Sequence, residues 1–188
     1  MESKVIRMSR KDRQYQILEE ALTVFIEKGY NGATTAEIAK AANISEVTLF
    51  RNFDSKKDIF KLSVEPIVVT TLKESIKASE NLSKKEQLAY ILVERVKLVS
   101  KNSEVIKLVL MESQINEELA DVNYIETMSK ILKETVLEYG FNVENKDFVF
   151  RMLMGSILSF LYMPENDEDE IKRFVENILN LLIEKRRD

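Results

Sequence analysis

Between Thr34 and Lys56 the chain reads TTAEIAKAANISEVTLFRNFDSK, and its hydroxyl residues leave little choice of local structure. Thr34 stands three residues ahead of Glu37. At that spacing a threonine hydroxyl caps a helix while the glutamate reaches back to a second orphan amide. The helix so started carries Ile38, Ala39 and Ala42 on one side and stops around Ala42 and Asn43. After a turn of about four residues, Ser45 can cap a second helix, Glu46 to Phe53. Val47, Leu49, Phe50 and Phe53 are too many apolar residues for one narrow buried stripe, whereas Thr48, Arg51 and Asn52 can point outward. Two short helices joined in this way form a helix-turn-helix, the arrangement that presents its second helix to a DNA major groove.

Helical patterning continues on both sides. Ser9 with Asp12 makes a capping start, and from Arg10 to Lys28 the residues Ile17, Leu18, Ala21, Leu22 and Phe25 recur at the spacing of a helix buried on one face. Gly29, after Lys28, most readily takes a left-handed cap. Another start at Ser55 leads into Ile59, Phe60, Leu62 and Val64. Pro66 interrupts this pattern and is followed by the β-branched run Ile67-Val68-Val69-Thr70-Thr71. Proline inside a helix costs about 3 kcal/mol, and the run alone suggests a strand. A lone strand has nothing nearby to pair with. The segment is therefore read as a kinked fourth helix, with the alternative that Pro66 ends it left open.

Ser83 and Glu86 form another capping box, followed by a stripe through Leu88, Ile91, Leu92, Arg95, Val96 and Val99. The pattern restarts at Asn102-Ser103, runs again from Asp121 to Tyr139 before Gly140, and again from Phe148 to Met163 after the loop Phe141-Asn142-Val143. Pro164 to Asp167 is a turn, and the last helix extends from Glu168 to about Arg186, acidic at its start and closing on Lys185, Arg186 and Arg187. With no alternating strand pattern the chain is all-α, with about nine helices. The expected division is a helix-turn-helix head over residues 1–62 and a helical body over residues 63–188.

Composition narrows the function. The 188 residues include no cysteine and no histidine, which removes disulfides, thiolate chemistry and the commonest general base and metal ligand. Neither a catalytic constellation nor a glycine-rich phosphate loop is present, so neither an enzyme nor a bound metal or cofactor is expected. No apolar run approaches the roughly 20 residues that cross a bilayer, and the polar opening MESKVIRMSRKDR is unlike a signal peptide. The expectation is a cytoplasmic protein with no membrane partner. The net charge of −4 conceals an asymmetry, with 11 cations against 9 acids up to Leu62 and 17 against 23 beyond it. Lys4, Arg7, Arg10, Lys11 and Arg13 form a basic arm that leads into the motif.

Taken in order, Phe25-Ile26-Glu27-Lys28-Gly29-Tyr30, Thr34-Thr35, Ile38-Ala39, Ser45, Thr48-Leu49-Phe50-Arg51-Asn52-Phe53 and Ser55-Lys56-Lys57-Asp58-Ile59-Phe60 resemble the amino-terminal domain of TetR-family transcriptional repressors. The resemblance covers about a third of the chain, from Arg10 to Leu62. It implies a homodimer that binds a palindromic double-stranded DNA operator and releases it when a small-molecule effector enters the carboxy-terminal domain. It further implies that Thr35 caps and contacts phosphate, that Thr48, Arg51 and Asn52 reach bases or backbone, that Lys56 touches phosphate, and that Arg10 supports flanking DNA. Ser45, Glu46, Val47 and Phe50 complete the expected DNA-facing set. Three positions depart from the family pattern. Phe50 stands where tyrosine is frequent and so lacks a hydroxyl, Val47 stands where glycine or alanine is usual, and Glu46 replaces what is often a lysine or a small residue. Glu46 could accept a hydrogen bond from a cytosine amine or simply suit the helix dipole.

In the body, Tyr90, Met111, Tyr124, Met128, Phe148 and Met152 are candidates to line a largely apolar effector cavity or to be ordinary core. Arg95 and Gln114 are the polar groups that such a cavity would use. Gly155, Ser156 and Ser159, with Phe174, Ile178 and Leu182 of a last helix apolar around much of its girth, suit a four-helix interface between two copies or a central buried position. Filling the cavity is expected to move the fourth helix about Pro66 and take the two heads out of register. The alternative reading is a helical interaction protein that binds a protein partner instead of DNA, which Glu46, Phe50 and the acidic total keep open.

Overall fold

The computed structural model describes residues 9–119, 122–138 and 146–183, and all the regular elements among them are helices. They are α1 (Arg10–Gly32), α2 (Thr35–Ala41), α3 (Glu46–Phe50), α4 (Lys56–Glu65), a π-helical turn (Pro66–Thr70), α5 (Thr71–Ala78), α6 (Lys84–Lys101), α7 (Ser103–Ile115), a 3-10 turn (Glu117–Leu119), α8 (Tyr124–Glu138), α9 (Lys146–Ser159) and α10 (Glu168–Ile183). Since α4, the π turn and α5 run on without a break, nine helical rods are present among the described residues. The basic residues Lys4 and Arg7, the loop around Gly140 and the closing Lys185, Arg186 and Arg187 lie outside those residues. No helix among them is long and apolar enough to cross a membrane.

The starts follow the sequence closely. Ser9, Thr34 and Ser83 each form a complete capping box, with Asp12, Glu37 and Glu86 reaching back, and Ser45 and Ser55 cap α3 and α4. The ends differ. Gly29 adopts φ 69° and ψ 171°, a conformation open essentially to glycine alone, yet one more helical turn follows it up to Gly32. The break frees the Tyr30 N–H, which donates to Glu112 Oε1 of α7 at 2.8 Å. Asn43, at φ 53°, turns the chain between α2 and α3, a left-handed position that asparagine tolerates.

Pro66 neither ends its helix nor starts a strand. It is helical at φ −57° and ψ −39°, and the chain absorbs it in the π turn, where the Thr71 N–H donates to the Pro66 carbonyl five residues back. The Thr71 hydroxyl donates to the Ile67 carbonyl at 2.6 Å, and Ser75 and Ser79 repeat the pattern one and two turns on. The β-branched run is thus helical because the rod is buried on both sides of the proline, with Val64, Val68, Val69 and Leu72 all in the core.

One large apolar cluster extends from Ile17 to Leu179, beside a small one built on Leu72, Ile91 and Leu132. Beneath the motif, Phe25, Tyr30 and Phe60 pack ring to ring, with centroids 5.2–5.9 Å apart. α1 packs on α2, α4 and α7, while α6 runs through the body against α5, α9 and α10. The Tyr124 hydroxyl at the head of α8 donates to the Lys61 carbonyl at 2.9 Å and ties the body to α4.

A methyl group at Gly29 would keep the strained φ and lie 3.1 Å from Glu112 Oε1, whereas one at Gly32 meets only Lys28 Cβ at an ordinary 3.5 Å. Gly29→Ala is expected to lower stability by about 1–3 kcal/mol and Gly32→Ala to leave it within about 0.5 kcal/mol or raise it slightly, as read from urea unfolding.

Candidate functional site

The helix-turn-helix is held from beneath. Leu49 and Phe53 are buried with Ile38, Ala39 and Ala42, while Gln14 of α1 donates to the Asn52 carbonyl at 3.4 Å. α3 is shorter than expected, ending at Phe50 and not at Phe53, because the Leu49 carbonyl already accepts from the Asn52 and Phe53 amides as the chain turns inward. Its apolar residues divide cleanly. Val47 is 63% exposed and Phe50 49% exposed on the outer face.

The polar residues of the motif separate into engaged and free groups. Thr34, and not Thr35, is the cap of α2, and the Thr35 hydroxyl instead donates to Glu46 Oε1 at 2.7 Å. Glu46 is thereby an internal clamp between α2 and α3, a role that neither sequence reading of it contained. Thr48 shares a 3.0 Å hydrogen bond with Ser45, and the Asn52 amide donates back to the Thr48 carbonyl at 2.8 Å. Lys56 departs most from expectation. Its ammonium donates to the Tyr30 and Ala33 carbonyls at 2.9 and 3.1 Å and stands 4.4 Å from the Tyr30 ring centre, so it closes the end of α1 and does not project outward. Arg51 and Arg10 are exposed and have no partner among the described residues. The free surface of α3 is therefore Val47, Phe50 and Arg51, with Ser45 and Thr48 at its start.

Glu37 accepts from Lys28 and from the Thr34 amide and hydroxyl. These bonds, the lysine's first, hold its carboxyl down at about 2.

The eight residues expected around an effector stand in different settings. Met111, Gln114, Phe148 and Met152 are exposed, Tyr124 is buried and bonded to Lys61, and Met128 is wedged between the two apolar clusters. Tyr90 and Arg95 share a cavity of about 370 Å³, lined by Thr71 and Ser75 of α5 and by Tyr90, Glu94, Arg95 and Lys97 of α6 among others. A second cavity, of about 340 Å³, lies between α6 and α10 and again includes Tyr90. The hydroxyls of Thr71 and Ser75 were missed in the sequence because Thr71 closes the β-branched run after Pro66 and nothing local to Ser75 marks it.

On α9 and the turn after it, Phe148, Met152, Gly155, Tyr162 and Met163 are exposed, and Ser156 and Ser159 half-buried. On α10, Phe174, Ile178 and Leu182 are half-buried and Leu181 is exposed, and a methyl placed on Gly155 would meet no atom within 4 Å. Glycine is thus not required there by packing within the chain.

The fold is that of an all-α regulator with a capped helix-turn-helix at its amino end. Residues 17–62 match the family described as bacterial regulatory proteins, tetR family. The Staphylococcus aureus negative transcriptional regulator IcaR of the biofilm operon icaADBC is 48% identical over 50 residues, and its Staphylococcus epidermidis counterpart 42%. The matched stretch is 27% of this chain and 27% of those relatives. A Clostridium perfringens protein provisionally assigned to regulation of fatty acid metabolism is similar over 89% of this chain and 96% of its own, at 29% identity and TM-score 0.67. A TetR-like regulator from Rhodococcus sp. RHA1 has the same fold, with TM-score 0.73 at 19% identity over 95% of this chain and all of its own. Residues 17–62 are thus similar to the amino-terminal domain of the tetR family, and the described chain as a whole shares the fold of TetR-like regulators.

Because the Glu37 carboxyl is held down, its contribution to stability is whole above its ordinary 4.5 and is lost as pH falls toward about 2. Glu37→Gln is expected to flatten that stretch of the acid-unfolding profile followed by circular dichroism.

Proposed function

We propose that the chain is a cytoplasmic, ligand-responsive repressor that binds a palindromic operator as a homodimer and is released by a small molecule. The observation that carries this reading is α3 itself, capped by Ser45, anchored by Leu49 and presenting Val47, Phe50 and Arg51 to the outside. Arg51 is suited to a phosphate or a guanine edge, and the apolar Val47 and Phe50 to a thymine methyl. The proposed division is a DNA-binding head to Leu62 and an effector-binding and dimerising body beyond it. The IcaR relatives, named as negative regulators, support repression. The Bacillus subtilis regulator FadR, solved with stearoyl-CoA, shares the fold at 19% identity and TM-score 0.69 over 92% of this chain and 99% of its own. It supports a body that accepts a small molecule.

The coupling element is the rod from Lys56 to Ala78, whose first half carries the head and whose last turns wall the cavity. A ligand that favours one position of α5 over another shifts the α4 end with it, and only that difference in affinity drives release. Two copies would meet on the exposed face of α9 and α10, whose small residues permit close approach.

Operator binding measured against salt tests the first part. The logarithmic slope falls by about one when a phosphate-contacting cation is removed. Arg51→Ala is expected to lower the slope by that amount or to relax sequence preference, and titration with a promoter fragment and a scrambled one separates the two. Absence of any sequence-selective binding would overturn the repressor reading in favour of a protein-binding role.

Gly155→Leu tests the second part. Its side chain has room within its own subunit, so helix content is expected to be unchanged while sedimentation shows monomers. A dimer that persists removes this face from the interface.

A further inference from the structure

Arg95 interrupts an otherwise apolar stripe of α6 and is only 3% exposed. Its partners are two neutral hydroxyls, Thr71 Oγ1 at 3.2 Å and Ser75 Oγ at 3.1 Å. Both hydroxyls already donate to carbonyls one turn back, which leaves their lone pairs turned to the guanidinium. Among the described residues no carboxylate hydrogen-bonds to Arg95. Glu94, its neighbour in the chain, pairs with Lys97, which also pairs with Glu168 of α10. Arg95 Nε is buried and has no hydrogen-bond partner. Burial lowers the guanidinium to about 10, so it remains a cation at neutral pH.

Glu94 acts on Arg95 only through its charge, and a buried cation with no hydrogen-bonded anion is costly, of the order of several kcal/mol. Chains of this kind rarely keep one unless something binds it. Arg95 is one of the residues that line the 370 Å³ cavity, a volume in the range of small-molecule sites, and its orphan N–H lies just beneath the accessible surface. Each Nη of Arg95 spends one N–H on a hydroxyl and keeps a second, and a guanidinium Nε with an adjacent Nη is the donor pair that receives two oxygens of one carboxylate or phosphate. Ala78, Tyr90 and Leu98 in the same lining suit a short apolar tail, and of its charged residues the acids Glu74 and Glu94 are balanced by Lys97 and Lys101, which leaves Arg95 as the net positive charge.

We propose that Arg95, braced by Thr71 and Ser75, is the anion-receiving end of the cavity between α5 and α6, and that the ligand of this chain is a small organic anion with an apolar tail. This rests on the ligand-responsive reading above and names the chemical class of its effector. The two hydroxyls that hold Arg95 are the ones that bond back along α5 just after the π turn. An anion drawing the guanidinium toward itself therefore acts directly on the rod that carries the head.

Four probes with the same eight-carbon tail test it on the full chain by calorimetry and thermal unfolding: octanoate, octyl phosphate, octanol and octylamine. Octanoate or octyl phosphate is expected to bind at least about ten-fold more tightly than octanol and octylamine, and the better of the two identifies the headgroup. Arg95→Met, which replaces the cation by an apolar chain of similar length, is expected to abolish that preference while the apo protein unfolds at the same temperature or higher. Lys101→Ala, at the rim of the same cavity, is expected to keep the preference. Equal binding of all four probes by the wild type overturns the proposal even if Arg95→Met does not fold. So does a preference that survives Arg95→Met or disappears with Lys101→Ala. Operator binding measured alongside keeps the two readings apart. Anion binding without release of DNA leaves the site standing and removes the ligand response, whereas release by a neutral probe alone does the reverse.

Discussion

One buried carboxylate joins the two halves of this molecule. Glu112 accepts the Tyr30 amide at one oxygen and the Asn116 side chain at the other, and Asn116 in turn donates to Asn31. The Tyr30 hydroxyl donates to Glu118 at 2.7 Å, so both ends of one tyrosine are held by acids of the body. Burial, and after it Glu118 and Glu112, raise the Tyr30 hydroxyl well above its usual range and keep it neutral. The Tyr30 amide is available to Glu112 because Gly29 breaks α1, since an unbroken helix would use it internally. The backbone break and the buried acid are two parts of one device, and each would be a liability alone.

The same logic of local irregularity answered by a distant side chain recurs in the head and along the rod. Lys56 collects the carbonyls left at the end of α1, and Thr71 collects the Ile67 carbonyl at the π turn. In the helix-turn-helix, the Thr35–Glu46 bond holds α2 and α3 together from the outside while Leu49 holds them from within. The motif is therefore preorganised, and contacts to DNA by Glu46 or Thr35 would first have to break a bond the chain already makes.

The capping residues were the most legible part of the sequence. Ser9, Thr34, Ser45, Ser55 and Ser83 all act within three residues of themselves, and local chemistry of that kind is written where it is used. The all-α architecture and the apolar stripes were legible for the same reason. What could not be read were roles set by partners far along the chain. Lys56 faces inward because of Tyr30 and Ala33, and Glu112 is buried because Gly29 breaks a helix 83 positions before it. Periodicity marked Arg95 as an anomaly, but only the fold brings Thr71 and Ser75 to it. Met111 and Gln114 show the converse, since a helical stripe says which residues share a face and not whether that face is covered.

The π turn has a further geometric meaning. It acts as one residue inserted into a helix, and each residue advances the helical phase by about 100°. The faces of α4 and α5 are therefore offset by that angle, so the side of the rod that meets α1 is not continuous with the side that meets α6 and α8. Removing one residue there would bring the faces of α4 and α5 back into α-helical register and at the same time swing the body around the head by more than a quarter of a turn. The irregularity at Pro66 thus works as a phase shifter, and the relative orientation of reading head and body is encoded in a residue count.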